Sequence, residues 1–257
     1  MSDLSWMMLA VALLAGVAAN AVLLVRVNRK VANVHHAVRR LRLYVEGESV
    51  QLFQQVQHAE RLRALLRLDT PLPIMRGWSA SPDFLYVIAR HALAAKPGLA
   101  VECGSGTSTL VLARCLALNG SGRLFSLESD AGFADATRAM LREAKLEGIA
   151  TVIHAPLQPT GTGNAQPWYA TRDLPDGPID MLVVDGPPED TAPQARYPAG
   201  PALATRVRPG ASIFLDDARR PDERAIVRRW LQELPGLSQG PAHHCEKGCV
   251  ELVVARR

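Results

Sequence analysis

The first apolar run, Leu4 to Val25, is broken only by Ser5, Gly16 and Asn20. As a helix its 22 residues reach about 33 Å at 1.5 Å per residue, enough to cross a bilayer. Beyond it, Val27, Val31, Val34, Val38, Leu41 and Val45 alternate spacings of four and three, the rhythm of a heptad seam. The rhythm weakens at Glu46-Gly47-Glu48 and resumes loosely through Leu52, Val56, Ala59, Leu62 and Leu66, which predicts a stalk helix with one weak point. Two uses fit this pattern: a parallel coiled-coil homodimer, or an amphipathic helix laid on lipid or folded back on the rest of the chain. Thr70-Pro71-Leu72-Pro73 ends the helix.

From Ser81 the pattern changes to helices alternating with short β-rich runs. Ser81-Pro82-Asp83 supplies a cap and a first-turn proline for a helix through about Ala95. Strands are predicted at Leu99–Cys103, Arg123–Glu128, Thr151–Ala155, Ile179–Asp185 and Ala211–Asp216, with helices near 107–118, 130–146, 195–206 and 221–233. Such alternation argues for an α/β fold, a mostly parallel sheet covered by helices on both faces. The final apolar run, Cys249–Ala255, follows the turn Glu246-Lys247-Gly248 and suits a C-terminal antiparallel hairpin. Pro156–Pro178, rich in Gly, Pro and Thr, reads as a long functional loop. The expected organisation is therefore a transmembrane anchor at 1–26, a stalk at 27–69 and one catalytic-sized domain at 70–257, with no internal repeat.

Composition and charge sharpen this. At 257 residues and 48% hydrophobic content, the chain can hold one ordinary α/β domain plus an appendage. The formal net charge of +4 owes much to Arg26, Arg29, Lys30, Arg39, Arg40 and Arg42, just past the apolar run, which points to a membrane surface rather than to nucleic acid. Because that cluster lies wholly on the C-terminal side, the positive-inside rule places the rest of the chain in the cytoplasm as a single-pass membrane protein. Ala19-Asn20-Ala21 mimics a signal-peptidase site, so a cleaved signal is the alternative; Asp3, the lack of a basic residue before the run and its continuation through Val25 favour a retained anchor. The four cysteines, Cys103, Cys115, Cys245 and Cys249, form no dense disulfide framework and suit a reducing compartment.

Two stretches carry candidate chemistry. Val101-Glu102-Cys103-Gly104-Ser105-Gly106-Thr107-Ser108-Thr109 is a buried strand running through a glycine turn into a helix, where backbone can approach a ligand and free N–H groups meet an anion. Glu128 ends the next strand, where a carboxylate can accept both hydroxyls of a ribose. Together they indicate an adenosine-containing cofactor. A dinucleotide fingerprint wants a third glycine where Thr109 stands, whereas Glu102, two before the first glycine, resembles the opening E/D-x-G-x-G motif of class I S-adenosylmethionine (SAM)-dependent methyltransferases.

The resemblance extends from Trp78 onward, through Trp78–Pro82, Val101–Thr109, Glu128-Ser129-Asp130, His154–Leu157, Ile179–Pro188, Ala195-Arg196-Tyr197-Pro198 and Leu215-Asp216-Asp217-Ala218-Arg219. It implies a Rossmann-like fold with a seven-stranded sheet. It also implies that Glu102, Gly104, Ser105 and Gly106, with Thr107 beside them, wrap the methionine part of SAM, that Glu128 holds the ribose and that Ser129 flanks the adenine. Asp185 would face the methyl-transfer centre, with Asp216 as a second catalytic candidate. The expected reaction is O-methylation, or alternatively N-methylation, of a small-molecule or lipid-linked acceptor. Divalent-cation-dependent O-methyltransferases place acids after the fourth and fifth strands, so Asp185, Asp216 and Asp217 form a candidate magnesium site, although Pro188 replaces the lysine that those enzymes often carry.

Other readings stay open. A nicotinamide-dependent oxidoreductase shares the fold but lacks here an obvious Tyr-Lys pair, and a tethered scaffold could retain the fold without catalysis. His243-His244-Cys245 and Cys249 have zinc-ligand chemistry with unusual spacing, or are surface histidines beside a chance cysteine pair. Cys103 and Cys115 read as small core residues. Trp168-Tyr169 either walls the acceptor pocket or anchors the long loop.

Overall fold

The computed structural model describes residues 3–69, 72–73, 75, 79–160 and 166–255. The helix stop at Thr70-Pro71 and Trp78 of the family-like run lie outside the described residues. Helix α1 runs Asp3–Leu66 and passes through Gly47 without a break. The chain divides into two compact units after Gln54.

The first unit is helix from Asp3 onward, with its apolar residues from Leu4 to Val45 exposed. Its apolar stretch is long enough to cross a membrane.

The second unit begins at Gln55, earlier than the boundary at residue 70 that the proline-rich stretch suggests. The reason is burial. Leu62 and Leu66 are fully buried and join the core with Phe84, Leu85 and Ile88 of α2 (Pro82–Ala95). Gln55 Nε2 donates to Asp83 Oδ2 (2.8 Å), which also accepts from the backbone N–H of Glu246 (2.6 Å), so one carboxylate ties the end of α1 and the turn before the last strand to α2. Ser81 stands at the N-cap in extended conformation, yet its hydroxyl makes no capping bond; Asp83 accepts from Phe84 N–H (2.8 Å) instead.

The remaining elements alternate as the period of the sequence predicts: β1 (Leu99–Cys103), α3 (Thr107–Asn119), β2 (Arg123–Glu128), α4 (Ala131–Glu143), β3 (Ala150–His154), β4 (Leu157–Pro159), β5 (Pro167–Tyr169), β6 (Ile179–Val184), α5 (Ala199–Leu203), β7 (Val207–Asp216), α6 (Pro221–Glu233), β8 (Leu237–His243) and β9 (Cys249–Val254). Seven strands form one sheet in the order β3-β2-β1-β6-β7-β9-β8. The first five are parallel, and β9 enters antiparallel between β7 and β8 as the predicted hairpin. Side chains alternate between the faces: Met181 and Val183 pack with α2 and α3, Leu182 and Val184 with Tyr197, Ile226 and Trp230. Coverage on both faces explains why these strands read as continuous apolar runs.

Two segments depart from expectation. The helix expected over 195–206 shrinks to α5 and a 3-10 turn at Ala204–Arg206, because Pro198 and Pro201 remove backbone donors and Gly200 is pressed against the Trp230 indole. The long loop at 156–178 carries its own two-stranded sheet, β4 against β5, whose Trp168 and Tyr169 are buried in the core.

The boundary at Gln55 gives a direct expectation. Deleting residues 1–54 leaves the unfolding free energy of the domain nearly unchanged, whereas Leu62→Ala costs about 2–5 kcal/mol, as for other fully buried leucines. Urea denaturation of both variants checks this, and an unaffected midpoint for Leu62→Ala would return the end of α1 to the stalk.

Candidate functional site

The site is built on the exit from β1. Gly104 has φ +97° and Gly106 φ +152°, conformations that residues with a Cβ rarely adopt. A Cβ on Gly104 would stand 3.3 Å from Gly186 N, and one on Gly186 would collide with the Tyr169 hydroxyl, so the glycine turn and the loop after β6 lie against each other. Asp185 N–H donates to Cys103 O (2.9 Å) and Gly104 N–H to Leu127 O (2.9 Å), which locks the turn between the two neighbouring strand ends.

Glu102 takes a different place from the one expected of a cofactor ligand. It is fully buried beneath the turn and off the cavity wall. Its Oε2 accepts from the Thr109 hydroxyl (2.6 Å) and the Ser126 hydroxyl (2.6 Å), and Thr109 in turn accepts from Gly106 N–H (3.0 Å). Burial pushes the Glu102 carboxyl up to about 7. Thr109, the residue that breaks the dinucleotide fingerprint, therefore holds the glycine turn from below.

Glu128 faces the cavity with its carboxylate already engaged. Oε2 accepts from Ser105 N–H (3.0 Å) and Ser105 Oγ (2.9 Å), and Oε1 accepts from Asp130 N–H (3.1 Å). Ser105 thus links the end of β2 to the turn, and its hydroxyl meets Thr137 Oγ1 at 3.1 Å. Asp130 caps α4 by accepting from Phe133 N–H (2.9 Å). The turn, Glu128, Ser129 and Asp185 open on one cavity of about 590 Å³, a volume in the range of cofactor sites. Phe133 and Met140 of α4 complete the wall on that side. Sequence reasoning missed them; their spacing of seven on an amphipathic helix, with Phe133 left 54% exposed, was the available signal. Tyr169 lines the cavity while Trp168 is buried, so the pair serves as both wall and anchor.

At the other end, Asp185, Asp216 and Asp217 present oxygens within 4.8 Å of one another, as expected from their strand ends. Sequence reasoning did not assign a role to the buried cation among them. Arg196 Nη2 donates to Asp217 Oδ2 (3.0 Å) and to Asp185 O (2.9 Å) and lies 3.5 Å from Asp185 Oδ1; Nη1 donates to Asp216 O (3.2 Å) and Nε to Pro187 O (3.3 Å). Arg220 Nη1 adds a second contact to Asp217 (3.0 Å). Burial opposes the Arg196 charge, but the surrounding acids outweigh it and raise its pKa. Burial, reinforced by Asp217 and opposed by Arg196, lifts the Asp185 carboxyl above the usual carboxylate range. Asp216 is 1% exposed, lies off the cavity wall, and has no hydrogen bond to either side-chain oxygen; burial pushes its carboxyl well above the usual carboxylate range. The oxygen chemistry suits magnesium, but the donor set does not fit a resident ion, because a buried guanidinium already spans Asp185 and Asp217.

The remaining candidates read plainly. Among the described residues, only the three aspartates group as metal ligands. His243 Nε2 pairs with Glu251 Oε2 (2.7 Å) rather than with a thiol, and Cys245 and Cys249 are buried and free. Cys103 and Cys115 are buried in the core.

Residues 101–218 match the family model described as Methyltransferase domain. That stretch, under half of the chain, is similar to a methyltransferase domain, and the sheet has the Rossmann-like order of the class I methyltransferase fold. Solved structures share the fold at low identity. The O-methyltransferase from Bacillus cereus in complex with S-adenosylhomocysteine (SAH) is 18% identical over 80% of this chain and 97% of that one, with a TM-score of 0.53. The O-methyltransferase TomG from Streptomyces achromogenes, in complex with SAM, is 18% identical over 81% and 96%, with a TM-score of 0.51. Cofactor-bound Rv0187 from MTB is 22% identical over 80% and 90%, with a TM-score of 0.52. No curated protein matches the chain.

The state of Glu102 sets a pH dependence. Its folded pKa lies above that of the unfolded chain, so the folded form holds more protons between the ordinary carboxyl range and about 7 and loses stability as pH rises through that window. Glu102→Gln keeps an oxygen acceptor for Thr109 and Ser126 and should flatten this loss, in part only, because Asp185 and Asp216 are shifted the same way. Thermal melts at pH 5 and 7.5 test it; an unchanged slope in the variant would mean that Glu102 ionises freely.

Proposed function

We propose that the chain transfers the methyl group of SAM to an oxygen of a small or lipid-linked acceptor. The observation that carries the reading is Glu128, a carboxylate at the end of β2 facing the cavity beside a turn kept open by Gly104 and Gly106. Cofactors of open α/β sheets lie outside the carboxyl ends of the strands, and this cavity opens there. Two structural neighbours are O-methyltransferases, which favours oxygen as the methylated atom.

In this reading Glu128 would hold the ribose, Phe133 and Met140 the adenine, and the turn at Gly104–Gly106 the methionine part, all of them lining the cavity. Bound SAM supplies an electrophilic methyl on a sulfonium. Asp185 faces that end of the cavity and takes the proton of the acceptor hydroxyl on its carboxylate; its raised pKa brings it nearer to neutrality and makes it a better base than an ordinary aspartate. Arg196 holds Asp185 and Asp217 in place, and the positioning of the acceptor against the cofactor supplies the remaining rate. Asp216 stays beneath, off the cavity wall. Thr109, bonded to Glu102 and Gly106, disfavours the oxidoreductase reading, because its side chain fills the place where a dinucleotide helix needs a third glycine.

Titration calorimetry with SAM, SAH, NAD and NADP tests the reading. SAM and SAH should bind, and Glu128→Ala should weaken SAH by about 2–4 kcal/mol, both because a charge-assisted bond to the ribose is lost and because Ser105 loses its anchor. Binding of NAD in place of SAH removes the proposal.

The apolar part of α1 supports a single membrane span with the domain in the cytoplasm, the six basic residues after it favouring that side. The exposed seam from Val27 to Val45 supports pairing of two copies along the stalk. The membrane fraction should therefore retain the full chain, with the domain cleaved by protease only after the cytoplasmic side is opened. A soluble product lacking the first 21 residues would identify a cleaved signal instead.

A further inference from the structure

We propose that the Arg196 guanidinium stands where a divalent cation would otherwise bind at the methyl-transfer end of the cavity, so that this methyltransferase works without a metal. The inference rests on the methyltransferase reading above and concerns how that site balances its charge.

Three aspartates converge at the ends of β6 and β7, with ligand oxygens within 4.8 Å. Like charges so close demand a cation, a proton or both. The chain provides the cation itself. Arg196 is 4% exposed and reaches the cluster from the segment before α5. Its donors satisfy four groups at once: the Asp217 carboxylate and the backbone oxygens of Asp185, Pro187 and Asp216. Glu223, on α6, lies 4.0 Å from Nε on the far side and helps to retain the charge. A hydrated magnesium ion needs open coordination positions at about 2.1 Å from its oxygens. Between Asp185 and Asp217 that space is taken by Nη2, at 3.5 Å and 3.0 Å from the two carboxylates.

The planar fork matters as much as the charge. A metal ion would draw the carboxylates inward, whereas the guanidinium also binds carbonyls on both strand-end loops and fixes their spacing. Arg196 also contributes to the cavity wall, which places a permanent positive charge beside the site where an acceptor oxygen would lose its proton. It is a positioning residue that acts through Asp185 and Asp217. Arg220, bonded to Asp217 and to Glu189 (3.0 Å), reinforces it from the rim.

The test uses the full chain in detergent, with Mn2+ as the probe and electron paramagnetic resonance to count bound ions. SAH affinity is measured in parallel. The wild type should take up no stoichiometric Mn2+, and its SAH affinity should be the same with and without EDTA. Arg196→Gln removes the charge and leaves the acids; it should bind one Mn2+ per chain at least about a hundredfold more tightly than the wild type, as expected when a unit charge within about 4 Å is removed. Arg196→Lys keeps the charge and should again exclude Mn2+, an outcome that a merely structural role would not produce. One Mn2+ bound by the wild type and lost in Asp217→Asn overturns the proposal. So does an Arg196→Gln chain that still binds SAH yet takes no Mn2+. Should Arg196→Gln fail to fold, the wild-type titration alone decides. Loss of SAH binding in the wild type would instead strike the methyltransferase reading, independently of any metal result.

Discussion

The pocket depends on one steric constraint, the close approach of the turn after β1 to the loop after β6. Gly104 and Gly186 face each other so closely that a methyl group on Gly186 would stand 3.0 Å from Gly104 Cα and one on Gly104 3.3 Å from Gly186 N, both tighter than ordinary contact. With that contact in place, Asp185 N–H closes onto Cys103 O, and the ends of β1 and β6 form one rigid floor. The cavity is then the volume left between this floor, the end of β2 and the first turn of α4. Such a floor positions a ligand without strapping side chains across it, which suits a transfer reaction governed mainly by geometry.

The same residue type is used in separate ways around that floor, and environment decides which. Glu102, fully buried and supported only by hydroxyls, is driven toward its neutral form and becomes part of the scaffold. Glu128 sits at the edge with three N–H or O–H donors and serves as an acceptor facing the cavity. Asp185 is raised by burial and held back by the arginine beside it. Asp216, with neither side-chain oxygen hydrogen-bonded, is pushed toward its neutral form by burial. The acids take different roles because burial and local donors differ over a few ångströms.

Much of this was legible in the residues because it follows from period. The alternating strands, the glycine turn, Glu128 and the terminal hairpin all lie where hydrophobic spacing and turn residues put them. What was illegible was long-range. Nothing in the local pattern near Leu62 and Leu66 says that a heptad-like helix stops being a stalk and becomes part of a core; that depends on Phe84 and Asp83, some twenty residues away along the chain. Glu102 was misplaced for a related reason. The motif locates it in the sequence, but whether its side chain points up to the ligand or down to Ser126 depends on strand alternation and on a partner in β2. Phe133 and Met140 were overlooked because a helix face that borders a cavity has the same spacing as one that borders a core.

Arg196 shows why the short α5 matters. A regular helix from residue 195 would have fixed the arginine by helical geometry and turned Ala195-Arg196-Tyr197 into one rigid turn. Instead Gln194 adopts a positive φ of 51°, and the segment up to Gly200 is pinned from outside by α6. Gln194 N–H donates to Asp222 (2.8 Å), Arg229 donates to the Gln194 side chain (2.9 Å) and stacks on the Tyr197 ring at 3.5 Å, and the Trp230 indole donates to Tyr197 O (2.9 Å) while resting on Gly200. Five positions of the chain, 194 to 198, are thereby held in turns that let one long side chain enter the acidic end of the sheet. A buried guanidinium is costly unless its acceptors are prearranged, and here the prearrangement comes from two strand ends on one side and a helix on the other. The loss of helix at 195–198 is thus the structural condition for placing a cation among the aspartates.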